Sequence, residues 1–186
     1  MKSISVKEMT TPLSDYATVT EDASLHDAVA ELEKTQQKFK DHLYPHNSVI
    51  VVDNNNKVIG RITQLEALKA LEPKYFEMGD ITALSRFGLS HSYLTSMIGV
   101  HKLFEKPLDH VCRKASSIKV KSFITPFSKN DFIDENATLN EAIHQFVVGG
   151  HYCPSILVKR GEKVTGVLRL TDIFHEISKK IQSCAI

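Results

Sequence analysis

Cysteine is scarce and scattered. Cys112, Cys153 and Cys184 lie far apart, are odd in number and form no Cys-x-x-Cys pair, which excludes a disulfide framework and a zinc site of that pattern. Long hydrophobic runs are missing too. The longest aliphatic stretch is Val49-Ile50-Val51-Val52, far short of the ~20 residues that span a bilayer. The start, Met1-Lys2-Ser3-Ile4-Ser5, is followed by polar residues rather than an apolar signal core. A cytoplasmic, reduced protein with no membrane partner is therefore expected. Charge of one sign is also lacking: 23 Lys+Arg stand against 22 Asp+Glu, a net of +1. That balance argues against a nucleic-acid binder, which relies on a basic face. No Gly-x-Ser-x-Gly elbow and no phosphate loop occurs, so a non-enzymatic protein is expected. The nine histidines form no metal-ligand pattern. His42 and His46 are four apart, but Pro45 spoils a helical His-x-x-x-His face. His91 lacks nearby acids, and His110-Val111-Cys112 has too few neighbours.

What is present is repetition. The 186 residues, 42% hydrophobic and 24% charged, suit a globular protein of one large or two small domains. Residues 6–12, Val-Lys-Glu-Met-Thr-Thr-Pro, return as Val-Lys-Ser-Phe-Ile-Thr-Pro at 120–126, an offset of 114. The same offset carries Ala23-Ser24-Leu25-His26-Asp27-Ala28-Val29 onto Ala137-Thr138-Leu139-Asn140-Glu141-Ala142-Ile143. Val58-Ile59-Gly60-Arg61-Ile62 then matches Val164-Thr165-Gly166-Val167-Leu168 at an offset of 106, so the first copy holds eight extra residues within 36–44. Two copies of about 65 residues result, and the expected units are residues 1–72, a linker at 73–118, and residues 119–186.

Both copies predict one order of elements. A short extended piece (Thr18–Thr20; Phe132–Asp134) leads to a capping box, Ser24…Asp27 or Thr138…Glu141. The helix that follows buries Leu25, Ala28, Val29 and Leu32, or Leu139, Ala142, Ile143 and Phe146, on one face. A β-branched run, Val49–Val52 or Ile156–Val158, turns through Asp53-Asn54-Asn55-Asn56 or Arg160-Gly161 into a second strand, Lys57–Thr63 or Lys163–Leu168. A last helix carries Leu65, Leu68 and Leu71, or Ile173, Phe174 and Ile177. The fold class is thus α+β, with two β-α-β-β-α repeats. A unit this small buries too little alone, so the copies should pack on each other.

The chain resembles a tandem pair of cystathionine β-synthase (CBS) domains, a Bateman module. The residues carrying the likeness are the Val-Lys-x-x-x-Thr-Pro segments, the Leu-x-x-Ala-hydrophobic helices and two Gly-hydrophobic-hydrophobic-(Thr/Ser)-x-x-(Asp/Asn) signatures. These signatures read Gly60-Arg61-Ile62-Thr63-Gln64-Leu65-Glu66 and Gly166-Val167-Leu168-Arg169-Leu170-Thr171-Asp172. The resemblance covers roughly 130 of 186 residues. The resemblance implies pseudo-twofold packing with two clefts that take adenosyl compounds: AMP, ADP, ATP or S-adenosylmethionine. The signature acid would receive ribose hydroxyls, and the Thr or Ser would reach a phosphate at the helix N-terminus. The glycines Gly60 and Gly166 would let the backbone approach the ligand. Adenine would lie against Val19 and Ile133 and the segments His46-Asn47 and Tyr152-Cys153.

Each signature departs from the family pattern. The first keeps Thr63 but has Glu66 for Asp, and Arg61 must point away or towards phosphate. The second keeps Asp172 but has Arg169 for Thr or Ser. Arg169 either grips a phosphate with its fork, favouring charged nucleotides over S-adenosylmethionine, or pairs with an acid and blocks the cleft. Glu66 and Asp172 equally fit the simpler role of capping groups favoured by the helix dipole. Cys153 fits inert packing or a redox sensor. In the linker, Glu72-Pro73 should end a helix, and residues 84–104 have helical spacing. Pro107 suits the first turn of another helix, with Leu108, Val111, Cys112 and Ala115 on one face. These helices cover module edges, support a homodimer, or act as a lever to a partner. The implied function is a non-catalytic sensor of an adenosyl compound serving an unidentified regulated protein. The alternative is a dimerisation scaffold with degenerate clefts.

Overall fold

The computed structural model of the chain describes residues 4–39, 45–72, 96, 109–148 and 155–183. Its first repeat comprises β1 (Thr11–Pro12), β2 (Thr18–Thr20), α1 (Leu25–Lys38), β3 (Ser48–Val52), β4 (Val58–Thr63) and α2 (Gln64–Leu71). After α3 (Asp109–Ser117), the second repeat runs through β5 (Thr125–Pro126), β6 (Phe132–Asp134), α4 (Leu139–Val148), β7 (Ser155–Arg160), β8 (Lys163–Arg169) and α5 (Leu170–Ser183). The expected α+β architecture of two β-α-β-β-α repeats is present. The helical spacing at 84–104 lies outside the described residues.

Capping chemistry starts the first helix of each repeat. The Asp27 amide donates to Ser24 Oγ at 3.1 Å, and the Asp27 carboxylate accepts from the Ser24 amide at 2.9 Å. Thr138 and Glu141 repeat this ahead of α4 at 3.3 and 2.7 Å. Both pairings satisfy amides that the first helical turn leaves without intrahelical partners.

The sheets do not follow the repeats one for one. One sheet has the order β2-β3-β4-β5 and the other β1-β8-β7-β6. Each Thr-Pro strand therefore joins the sheet of the other repeat: Pro12 faces Gly166, and Pro126 faces Gly60. The exchange extends upstream. The Val6 amide donates to the Ala137 carbonyl and the Leu139 amide to the Ile4 carbonyl. At the equivalent places the Val120 amide donates to Ala23 and the Leu25 amide to Ile118. This matched set expresses the pseudo-twofold relation at the level of single bonds.

Strand alternation sorts side chains into three layers. Val49 and Val51 join Ala17, Ala28 and Ile62 in one helix-facing core, which Val120 of the second repeat completes. Ile156 and Val158 join Ile133, Ala142 and Leu168 in the other, completed by Val6 of the first. The intervening residues Ile50 and Leu157 meet Tyr16 and Val167 between the sheets. Fully burying each of the Val, Leu and Ile side chains contributes about 1.5–3 kcal/mol. Neither repeat closes its core without the other. Ala115 of α3 docks on Leu25 and Ala70, and an apolar groove of about 950 Å³ lies among α1, α2 and α3.

Candidate functional site

At the exit of β4 the chain meets α2 through Thr63. The Glu66 amide donates to Thr63 Oγ1 at 3.3 Å, and Glu66 Oε2 accepts from the Thr63 amide at 2.6 Å. Glu66 Oε1 accepts the hydroxyl of Thr125, which sits on the exchanged strand β5. The signature acid of the first repeat is thus a cap and also a tie to the second repeat. Gly60 serves the same junction: a Cβ there would stand 2.9 Å from the Thr125 carbonyl oxygen.

At the exit of β8 the equivalent helix, α5, begins after Arg169. An arginine carries no acceptor, so it cannot cap as Thr63 does. Its side chain turns instead to Asp172. Nε donates to Oδ2 at 2.7 Å and Nη2 to Oδ1 at 2.6 Å, a two-pronged ion pair. Arg169 is only 6% exposed, while the Asp172 side chain retains 23%. Gly166 is more tightly constrained than Gly60. A Cβ would lie 2.3 Å from the Thr11 carbonyl oxygen and 2.5 Å from Thr10 Cγ2. Contact with the exchanged strands therefore accounts for both glycines.

Between these helix starts lies a buried polar cluster. Arg61, 8% exposed, crosses to the second repeat, donating to the Ser155 carbonyl at 3.2 Å and to Asp131 Oδ1 at 3.1 Å. Its guanidinium also lies over the Phe127 ring, 5.3 Å from the centroid. Burial pushes the Asp131 carboxyl up. The amide and hydroxyl of Ser128, together with Arg61, outweigh that and hold it below the usual value. The buried Tyr16 hydroxyl shares a 2.9 Å hydrogen bond with Ser48. Burial raises the Tyr16 pKa, against the lowering influence of Ser48, Arg169, Ser155 and Arg61. Both arginines thus act electrostatically on one phenol.

The structure brings Gly60, Thr63 and Glu66 together around Thr125, and Arg169 and Asp172 together at the start of α5, while Gly166 lies within β8 against the exchanged strand. Val19 packs against the first helix-facing core, and Ile133 is buried in the second. Asn47 is half-buried beside His46, whose ring packs against Tyr16 at 4.6 Å and Phe39 at 5.6 Å between centroids. Cys153 lies outside the described residues. Among the described residues there is no group of three or more metal-ligating side chains, and no helix long and apolar enough to cross a membrane. Tyr16, Ser48, Thr125, Asp131 and Ser155 were not among the residues singled out from the sequence. Ser48 and Ser155 carried a signal, since each immediately precedes the aliphatic run of its repeat.

The CBS domain family profile matches residues 5–73 and 120–179. The structure is similar to the CBS-pair protein CBSX2 from Arabidopsis thaliana at a TM-score of 0.60 and 14% identity, covering 98% of this chain and 100% of that one. It is also similar to CBSX2 in complex with AMP, at a TM-score of 0.57 and 15% identity, with 94% and 97% covered. A CBS domain-containing protein of unknown function from Kribbella flavida gives a TM-score of 0.61 at 15% identity, with 94% and 98% covered. No curated protein matches the sequence.

Proposed function

The chain belongs to the CBS domain family, and on that premise we propose that it is a non-catalytic regulatory module. It senses an adenosyl compound (AMP, ADP, ATP or S-adenosylmethionine) in clefts between its repeats and passes the state to a partner protein. The observation that carries this reading is the placement of a polar side chain and an acid three residues later at each helix start. These pairs are Thr63 with Glu66 and Arg169 with Asp172, both where a strand gives way to a helix N-terminus. An acid there suits two ribose hydroxyls, and the helix terminus suits a phosphate. That CBSX2 forms a complex with AMP supports the ligand class. Val19, Asn47, Ile133 and Cys153 are proposed to flank adenine. Gly60 and Gly166 are proposed to line the backbone side of each cleft.

Regulation requires that the ligand bind one arrangement of the halves, or of a homodimer, better than another. Arg61 offers a physical link, because it spans the two repeats through Asp131 and Ser155. Calorimetric titration tests the proposal. Asp172→Ala is expected to weaken nucleotide binding at least tenfold, and unchanged affinity removes Asp172 from the site.

A second reading is favoured by one specific observation: both signature acids already have internal partners, Glu66 in Thr125 and Asp172 in Arg169. In that case the clefts are degenerate and the protein is a dimerisation scaffold. Sedimentation with and without nucleotide separates the two, since a scaffold associates identically in both.

A further inference from the structure

We propose that the second repeat carries a docking slot for an amphipathic helix of a partner protein, with the first repeat as its template. In the first repeat α3 sets Ala115 on Leu25 and Ala70, and Leu71 and Ile118 pack around them. The repeat relation carries this seat onto the second repeat residue by residue. Leu25 becomes Leu139 and Ile118 becomes Ile4 at the offset of 114, while Ala70 becomes Glu176 and Leu71 becomes Ile177 at the offset of 106. Backbone bonds follow the same match. The Leu25 amide donates to the Ile118 carbonyl, and the Leu139 amide to the Ile4 carbonyl. An isolated bridge joins Ser24 to Lys119 beside the first seat and Thr138 to Ser5 beside the second.

A helix fills the first seat. The second is an open apolar groove of about 220 Å³ floored by Ile4, Leu139, Ile177 and Ile181 and rimmed by Glu176 and Lys180. Among the described residues only α4, α5 and the segment at Ile4 line it. Where α2 stops at Leu71, α5 runs on to Ser183, so Ile181 extends the floor and is 67% exposed. An apolar groove between helices suits the apolar face of another helix. The seated α3 states the chemistry of that helix: Val111, Ala115 and Ile118 at spacings of four and three, small at the centre and polar outside. Glu176 stands where Ala70 meets Ala115. Its carboxylate takes a 2.7 Å bond from Lys179 and keeps further acceptor sites. A helix with a lysine or arginine beside its small residue, as Lys114 precedes Ala115, therefore complements this rim. A second copy of the chain cannot lend its α3 without vacating its own first seat, where Ala115 is 8% exposed. The occupant is thus a helix of another protein.

Fluorescence anisotropy tests this with the full chain and a labelled peptide of residues 109–118, Cys112→Ser, stapled through the exposed positions 113 and 117. The staple is needed because so short a helix does not hold in water. Saturable binding is expected. Ile181→Glu in the chain, or Ala115→Glu in the peptide, should weaken it by about tenfold or more. Lys114→Glu in the peptide should weaken it by about threefold. Leu68→Glu, in the groove among α1, α2 and α3, should leave the affinity within about twofold. Ile181 and Leu68 are 67% and 53% exposed, so both variants of the chain keep the fold. Loss on Leu68→Glu but not on Ile181→Glu places the peptide in the first groove and overturns the proposal. Absence of binding overturns it as well. So does a dimer in sedimentation that Ile181→Glu splits while the peptide binds neither form, since the slot then belongs to a second copy. The proposal names a surface for the partner of the sensing reading, yet no nucleotide enters its test. Its failure therefore leaves that reading to its own titration.

Discussion

The two helix starts that close the repeats occupy equivalent places and are built from different chemistry. At α2 a hydroxyl and a carboxylate cap each other, and a second hydroxyl from the exchanged strand completes the set. At α5 a guanidinium replaces the hydroxyl and clasps the carboxylate directly. A duplicated scaffold can thus hold one position in the same backbone setting and change its electrostatics through a single side chain. The start at α2 is tied to the opposite repeat through Thr125. At α5 the guanidinium pairs with Asp172 in its own helix turn, and its charge works against the burial that raises the Tyr16 pKa.

The sharpest way to break this comparison is at the two glycines. Gly166→Ala should destabilise the fold by about 3 kcal/mol or more and Gly60→Ala by about 1–2 kcal/mol, since overpacking costs rise with the depth of the clash. The difference follows from clash distances of 2.3 and 2.9 Å to exchanged-strand carbonyls. Urea midpoints at constant slope measure it.

Next come the acids. Asp172→Ala leaves a buried guanidinium without its fork partner and should cost about 2–4 kcal/mol. Glu66→Ala removes a carboxylate bound by neutral donors and should cost about 1 kcal/mol. Equal losses in thermal melts would mean that the two starts are energetically alike.

Asp131 gives a smaller, pH-dependent effect. Its carboxyl is held below its ordinary value of 3.8 in the folded protein. A depressed folded pKa contributes stability above the unfolded pKa and loses it as pH falls through the folded value. Asp131→Asn should therefore lower stability near neutrality and flatten the decline below about pH 4, as acid titration of the melting temperature would show. Tyr16→Phe is the mildest change. It strips the Ser48 hydroxyl of its partner and should cost about 1 kcal/mol, read from the urea midpoint.

Much of the fold was legible because it follows from local patterning. The extended pieces at 18–20 and 132–134, the two first-helix capping boxes and the hairpins all lie where periodicity and turn residues put them. The strand exchange was hidden, because Thr11–Pro12 and Thr125–Pro126 are two-residue strands whose partners are set by tertiary packing. The glycines illustrate the consequence. Read from sequence they suggested ligand approach, and the structure supplies a second backbone at the same spot. Arg61 was legible as an anomaly within a hydrophobic signature, but Asp131, 70 residues away, carries no sequence mark as its partner. The fate of Arg169 was within reach, since an acid three positions on is a natural partner at a helix start.

The melting temperature of the full chain against AMP, ADP, ATP and S-adenosylmethionine, with and without magnesium, tests the central claim most directly. A ligand at a hundred times its Kd adds about 2.7 kcal/mol to the native state, a rise of roughly 5–10 °C for a chain of this size. The account predicts such a rise for at least one member of the panel. No shift for any of the four, from a folded protein, would contradict it and establish the scaffold reading in its place.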